Sequence, residues 1–219
     1  MVSRAISLCK SCEEDFPVLL DACKTCGLPL DAANESNSAV CGHCLQISTY
    51  VDYTLCLYHY QAPLDYLITT LKYNQQLSHA TILGHLLLAR LEGEVIGNYP
   101  DCIIPVPLHK RRLVKRGFNQ SLEIVRNVAE YLNIPIELTS VKRKKRTLAQ
   151  AELNAVQRKK NVKGCFDVKI ELAENYSHVV IIDDVVTTGS TINELAKQLK
   201  KSGIKKVGVW SIARAVLGD

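Results

Sequence analysis

The stretch from residue 178 to residue 192, HVVIIDDVVTTGSTI, constrains this chain more than any other. A short β-branched run, residues 179–182 behind His178, meets two carboxylates, Asp183 and Asp184. That is the pattern of a buried strand reaching its exposed C-terminal end. Thr187, Thr188, Gly189, Ser190 and Thr191 follow, and the spacing of Ile192, Leu195, Ala196 and Leu199 predicts a helix after them. Such a strand, polar loop and helix can hold a phosphorylated sugar. Amides at the helix start face outward with the positive end of the helix dipole, and the hydroxyls add donors for phosphate oxygens. Gly189 lets the backbone come close, and the carboxylates are suited to accept hydrogen bonds from ribose hydroxyls or to help hold a hydrated Mg²⁺.

Residues 179–191 resemble the phosphoribosyl pyrophosphate (PRPP) motif of type I phosphoribosyltransferases: apolar strand, two acids, two residues, then Thr-Thr-Gly-Ser. Purine-salvage members commonly carry an Asp where this chain has Thr187, which argues against a 6-oxopurine acceptor.

Six of the nine cysteines fall in three C-x-x-C pairs within the first 44 residues: Cys9/Cys12, Cys23/Cys26 and Cys41/Cys44. Two residues between thiolates let both sulfurs of a tight turn reach one tetrahedral Zn²⁺, and Gly27 and Gly42 sit where such knuckles bend. Cys23, Cys26, Cys41 and Cys44 form a complete four-thiolate set for a structural zinc. Cys9/Cys12 replaces one of those pairs, belongs to a second site, or is unmetallated. His43 reads as solvent-facing, and Cys56, Cys102 and Cys165, each in apolar surroundings, read as small buried hydrophobes. Residues 1–49, poor in large apolar side chains, need such a staple and form a zinc-ribbon-like module; residues 50–219 form the main domain. No apolar run approaches the ~18 residues of a membrane helix and the first residues lack a signal-peptide core, so a cytoplasmic location without membrane insertion is expected.

The main domain reads as α/β, a parallel sheet with flanking helices. A strand over 51–60, a helix after Pro63 that closes at Lys72-Tyr73, and a second helix over 78–91 carry no visible chemistry. Residues 101–107 predict a second buried strand, feeding a polar loop and a helix that Asn119 caps. The loop is strongly cationic, and the resemblance to phosphoribosyltransferases, in which the loop after this strand grips pyrophosphate, makes Pro107, Leu108, Arg112 and Arg116 the candidates for that role. A third strand is expected over 134–142 and a final strand over 206–213 with Trp210 filling core, and the resemblance to type I phosphoribosyltransferases implies a loop that closes over PRPP, for which 142–164 is the candidate.

Charge is uneven. Residues 107–165 hold 15 Lys+Arg and 4 Asp+Glu, a net +11, so the rest must carry −6 to give the chain its +5. One PRPP needs only a few cations, so the run Lys142, Arg143, Lys144, Lys145 and Arg146 is the candidate for a larger polyanion such as single-stranded DNA or RNA.

Taken in order, the cysteine pairs, the LKY of residues 71–73, PVPL of 105–108, RGFNQS of 116–121, RTLAQ of 146–150, the R-x-x-N-x-x-G-x-F of 158–166 and DDVVTTGST of 183–191 resemble the ComF family of competence-associated proteins. The resemblance implies a type I phosphoribosyltransferase-like fold that binds PRPP with Mg²⁺ and serves the handling of incoming single-stranded DNA in natural transformation, alongside a competence helicase or other DNA-processing partner. It implies no reaction. A conventional phosphoribosyltransferase acting on a small nucleobase or amine, and a zinc adaptor with a regulatory PRPP site, remain as alternatives.

Overall fold

In the computed structural model, residues 8–30, 40–94, 99–145 and 162–216 are described. Their elements are α1 (Lys10–Glu14), α2 (Gly42–Gln46), β1 (Tyr53–His59), α3 (Leu64–Asn74), α4 (Leu77–Glu94), β2 (Cys102–Pro105), α5 (Lys110–Arg116), α6 (Gln120–Leu132), β3 (Val141–Arg143), β4 (Phe166–Val168), α7 (Leu172–Asn175), β5 (His178–Val186), α8 (Ser190–Lys201) and β6 (Lys206–Arg214).

Four strands make the main sheet, in the order β1-β6-β5-β2, with every pairing parallel. Parallel strands are joined by crossovers, so helices cover both faces and the central strands are apolar on both sides. Along β5, Val180 and Ile182 join one core cluster with Ile68, Leu83, Leu87 and Val125 from α3, α4 and α6. Val179 and Ile181 join the other, with Leu195 and Leu199 of α8. All four of these strand residues are fully buried, and burial of such side chains stabilises by roughly 1.5–3 kcal/mol each. Trp210 fills core, as the sequence predicts. Helices α4 and α6 touch at Gly84, where a Cβ would stand 2.5 Å from the Ile124 carbonyl oxygen.

Both sheet edges are covered. On one, residues 17–19 run antiparallel to β1: Leu19 N–H donates to Leu57 O (2.9 Å) and His59 N–H to Pro17 O (2.8 Å). On the other, Ile103 exchanges hydrogen bonds with Pro135 and Glu137. A sheet edge left open would present unpaired donors and acceptors to another chain.

Three local expectations are corrected. The strand predicted over 134–142 is a single parallel bridge at Ile136 and then β3, which pairs antiparallel with β4 in a separate two-stranded sheet. The cationic loop after β2 contains a helix, α5, because KRRLVKR has no breaker, His109 Nδ1 accepts from Arg111 N–H (3.2 Å), and Gly117 stops the turn at φ +85°. Third, β5 does not end at the carboxylates; it continues to Val186, since β6 keeps pairing with it as far as Arg214.

Candidate functional site

The extension of β5 gives its two aspartates different surroundings. Asp183 is half-buried, whereas Asp184 points inward and is 3% exposed. A buried carboxylate needs a partner, and Lys72 of α3 supplies it by an ion pair to Asp184 Oδ2. Gln120 Nε2 donates to Asp184 Oδ1 (3.3 Å), and Arg116 in turn donates to Gln120 Oε1. Asp183 Oδ1 accepts from Ser121 Oγ (3.2 Å) and from the Asp184 amide (3.0 Å). Burial opposes the charge on Asp184, but Lys72 outweighs it and holds the carboxyl below the usual range. For Asp183, burial and the adjacent Asp184 charge act together and push it up to about 8.

The start of α6 is pinned into this arrangement. Asn119 caps the helix by accepting from Ser121 N–H (3.1 Å), as the sequence predicts, and its Nδ2 donates to Val106 O (3.1 Å). The RGFNQS segment therefore docks the end of β2 against the aspartates.

The polar loop follows β5 as the sequence predicts. Gly189 is the N-cap of α8 at φ +70°, a backbone region that disfavours a side chain. Thr188 Oγ1 donates to Ser190 Oγ (2.9 Å). Arg214, buried at the end of β6, donates to the carbonyls of Val186 (3.1 Å) and Thr187 from below.

Thr187, Gly189, Ser190, Thr191 and both aspartates line one cavity of about 510 Å³, facing Leu108, Arg112, Lys115 and Arg116. Of the predicted pyrophosphate residues, Leu108, Arg112 and Arg116 line it and Pro107 precedes it. Thr188 is half-buried beside the lining residues. Of the basic run, Lys142, Lys144 and Lys145 are exposed, and Lys144 pairs with Asp167 (2.7 Å). Arg143 instead faces the cavity, its guanidinium 5.5 Å from the Phe166 ring centroid. Arg146 lies outside the described residues.

Lys72, Gln120, Ser121 and Arg214 join the site although none of them is a candidate from the sequence alone. Lys72 reads as a solvated lysine in a helix's last turn, and Arg214 as a strand end. The LKY triplet was the available signal. Its lysine reaches Asp184, and its tyrosine, Tyr73, lies 5.8 Å under the Arg116 guanidinium.

Cys23, Cys26, Cys41 and Cys44 converge, their sulfurs all within 4.8 Å of one another, with Cys26 and Cys41 3.7 Å apart. A tetrahedral site with metal–sulfur bonds of about 2.3 Å spaces its sulfurs by about 3.8 Å, so the four thiols fit a metal ion. Cys41 N–H donates to Cys23 Sγ (3.2 Å). Burial disfavours the Cys23 thiolate, but amide donors outweigh it and bring the thiol down to about 7. Cys9 and Cys12 are exposed and outside this cluster, His43 is exposed, and Cys56, Cys102 and Cys165 are buried. Among the described residues no helix is long and apolar enough to cross a membrane.

A parallel sheet with helices on both faces, the acid pair, and a hydroxyl-rich loop opening a helix define the phosphoribosyltransferase class of fold. Residues 119–215 match the family model described as the phosphoribosyl transferase domain. Over 215 residues the chain is 34% identical to Competence protein F of Haemophilus influenzae, covering 95% of this chain and 90% of that protein. It is 35% identical over 212 residues to the DNA utilization protein YhgH of Escherichia coli (strain K12), covering 95% and 91%. The chain belongs to the ComF family of competence-associated proteins. A structure of adenine phosphoribosyltransferase from Leishmania donovani aligns over 77% of this chain and 85% of that one, at 13% identity and a TM-score of 0.38.

Proposed function

We propose that the chain binds PRPP with Mg²⁺ in the cavity between residues 187–191 and α5, and that it couples this site to single-stranded DNA during natural transformation. The observation that carries the reading is one cavity holding both the hydroxyl-rich start of α8 and the cations Arg112, Lys115, Arg116 and Arg143. Phosphate bears several negative charges, and a helix start with flanking guanidiniums is the arrangement that stabilises them.

Asp183 and Asp184 divide the work. Asp184, held by Lys72 and Gln120, sets the floor of the site; Asp183, half-buried, accepts from ribose hydroxyls or from water on Mg²⁺. Cys23, Cys26, Cys41 and Cys44 hold Zn²⁺, which braces the module of residues 1–49 against the domain of residues 50–219. Nucleic acid is favoured by the exposed Lys142, Lys144 and Lys145 next to that cavity, and by Tyr60 and Tyr73 at its rim, where bases could stack.

Calorimetric titration with PRPP and Mg²⁺, repeated with single-stranded DNA present, tests the reading. Saturable PRPP binding whose affinity changes when DNA is added is expected. Absence of PRPP binding would end it, and release of pyrophosphate on adding a small nucleobase or amine would move the chain to the conventional transferases.

A further inference from the structure

The two candidate ligand sites, the cysteine cluster and the phosphate loop, meet at one side chain. Arg214 is 4% exposed, and every acceptor it reaches in the described structure is a main-chain carbonyl. Its Nε donates to Cys26 O (3.0 Å), within the cysteine knuckle. Its Nη1 donates to Val186 O (3.1 Å), to Thr187 O and to Ala215 O (2.5 Å). A planar guanidinium presents these donors in a fixed fork, so moving one acceptor moves the others or breaks a bond.

The contact with Thr187 fixes more than an oxygen. In a trans peptide the carbonyl and the following N–H point in opposite directions, so holding Thr187 O against Arg214 turns the Thr188 N–H to the opposite side. Thr187, Gly189 and Ser190 line the cavity and Arg214 does not. The guanidinium therefore sets, from behind, the direction of an amide at the anion-binding loop. At its other end, Cys26 is one of the four converging thiols, so a metal bound there fixes the Cys26 backbone. Four thiolates around a divalent ion carry a net charge of −2, and a buried cation beside them offsets part of it.

We infer that Arg214 is a positioning residue that couples the two sites: metal at Cys23, Cys26, Cys41 and Cys44 strengthens anion binding at residues 187–191, and bound anion slows loss of the metal. The inference rests on the PRPP and zinc readings above. Coupling of this kind is reciprocal in affinity, so one factor must describe both the gain in PRPP affinity with zinc bound and the gain in zinc affinity with PRPP bound.

The test uses the zinc-loaded full chain and two readouts that need no turnover: the rate of zinc transfer to a chromogenic chelator, with and without saturating PRPP and Mg²⁺, and PRPP affinity by calorimetry. In the native protein PRPP should slow zinc transfer about tenfold, within the usual range of coupling between sites. Arg214→Lys retains the charge but cannot span both carbonyl groups, and Arg214→Gln removes the charge; in each the PRPP effect on zinc transfer should fall below about twofold. If the native protein binds PRPP while its zinc transfer is unchanged, the coupling is overturned and the cavity reading stands. If it binds no PRPP, the cavity reading falls and the coupling with it. Protection in Arg214→Lys as large as in the native chain would overturn the role of Arg214.

Discussion

Lys72 and Asp184 form an ion pair that joins α3 to the strand carrying the acid motif, with side chains only 19% and 4% exposed. Removing one partner of a buried pair leaves an uncompensated charge. Lys72→Met should therefore destabilise the protein by about 3–5 kcal/mol in chemical denaturation. The double variant Lys72→Met, Asp184→Asn should recover much of that loss, because no charge is left stranded; equal loss in both would show that packing rather than charge governs the site.

Asp183 should make stability and PRPP binding depend on pH in opposite senses. Its carboxyl is raised from 3.8 to about 8 by burial and by Asp184. Between those values the folded chain holds a proton that the unfolded chain releases. Stability therefore falls as pH rises through this window and levels off above it. The ionised carboxylate holds ribose hydroxyls and water on Mg²⁺ more strongly than the neutral acid does, so PRPP affinity should rise over the same range. Denaturation and calorimetry from about pH 5 to about pH 8.5 should show both trends, and Asp183→Asn should flatten both.

Metal analysis of anaerobically purified protein should give one zinc per chain, from the four converging sulfurs. Cys41→Ser should lose it, while Cys9→Ser with Cys12→Ser should keep it, because those two thiols are exposed and apart from the cluster. Zinc loss in the second variant would mean that the first pair shares the site.

Single-stranded DNA binding should weaken steeply with salt, by roughly 0.7 log units per tenfold salt for each phosphate neutralised. Replacing the exposed Lys142, Lys144 and Lys145 by Ala should flatten the slope by about two units and leave PRPP binding in place. Arg143 is excluded from this set because it faces the cavity. An unaltered slope would make the basic run a solvated surface.

Gly84→Ala should destabilise by about 1–3 kcal/mol, since the new Cβ would stand 2.5 Å from a carbonyl of α6 and the two helices must separate. A thermal midpoint equal to that of the native protein would show that α4 and α6 can slide apart freely.

The sequence by itself determined the parts whose cause is local. A β-branched run buried on both faces, a glycine and hydroxyls before an amphipathic helix, Asn119 as a cap and cysteines two residues apart each follow from short-range geometry, and each is found in the structure. Tertiary structure alone decided what crosses between elements. Whether β5 stops at Asp183 or runs to Val186 depends on β6 pairing alongside it. Which aspartate is ionised depends on Lys72, more than a hundred positions away in the chain, and Gln120, brought to it by packing of α3 and α6. That Arg143 turns into the cavity while its neighbours face water follows from the side-chain alternation of β3 and its pairing with β4. Arg214 ends a strand in the sequence, yet in the fold it holds the Cys26 carbonyl and the Thr187 carbonyl at once, because the parallel sheet ends β5 and β6 side by side and the N-terminal segment brings Cys26 within its reach. Long-range contacts of this sort leave no periodic trace in the chain, and only the assembled sheet brings their partners within hydrogen-bond distance.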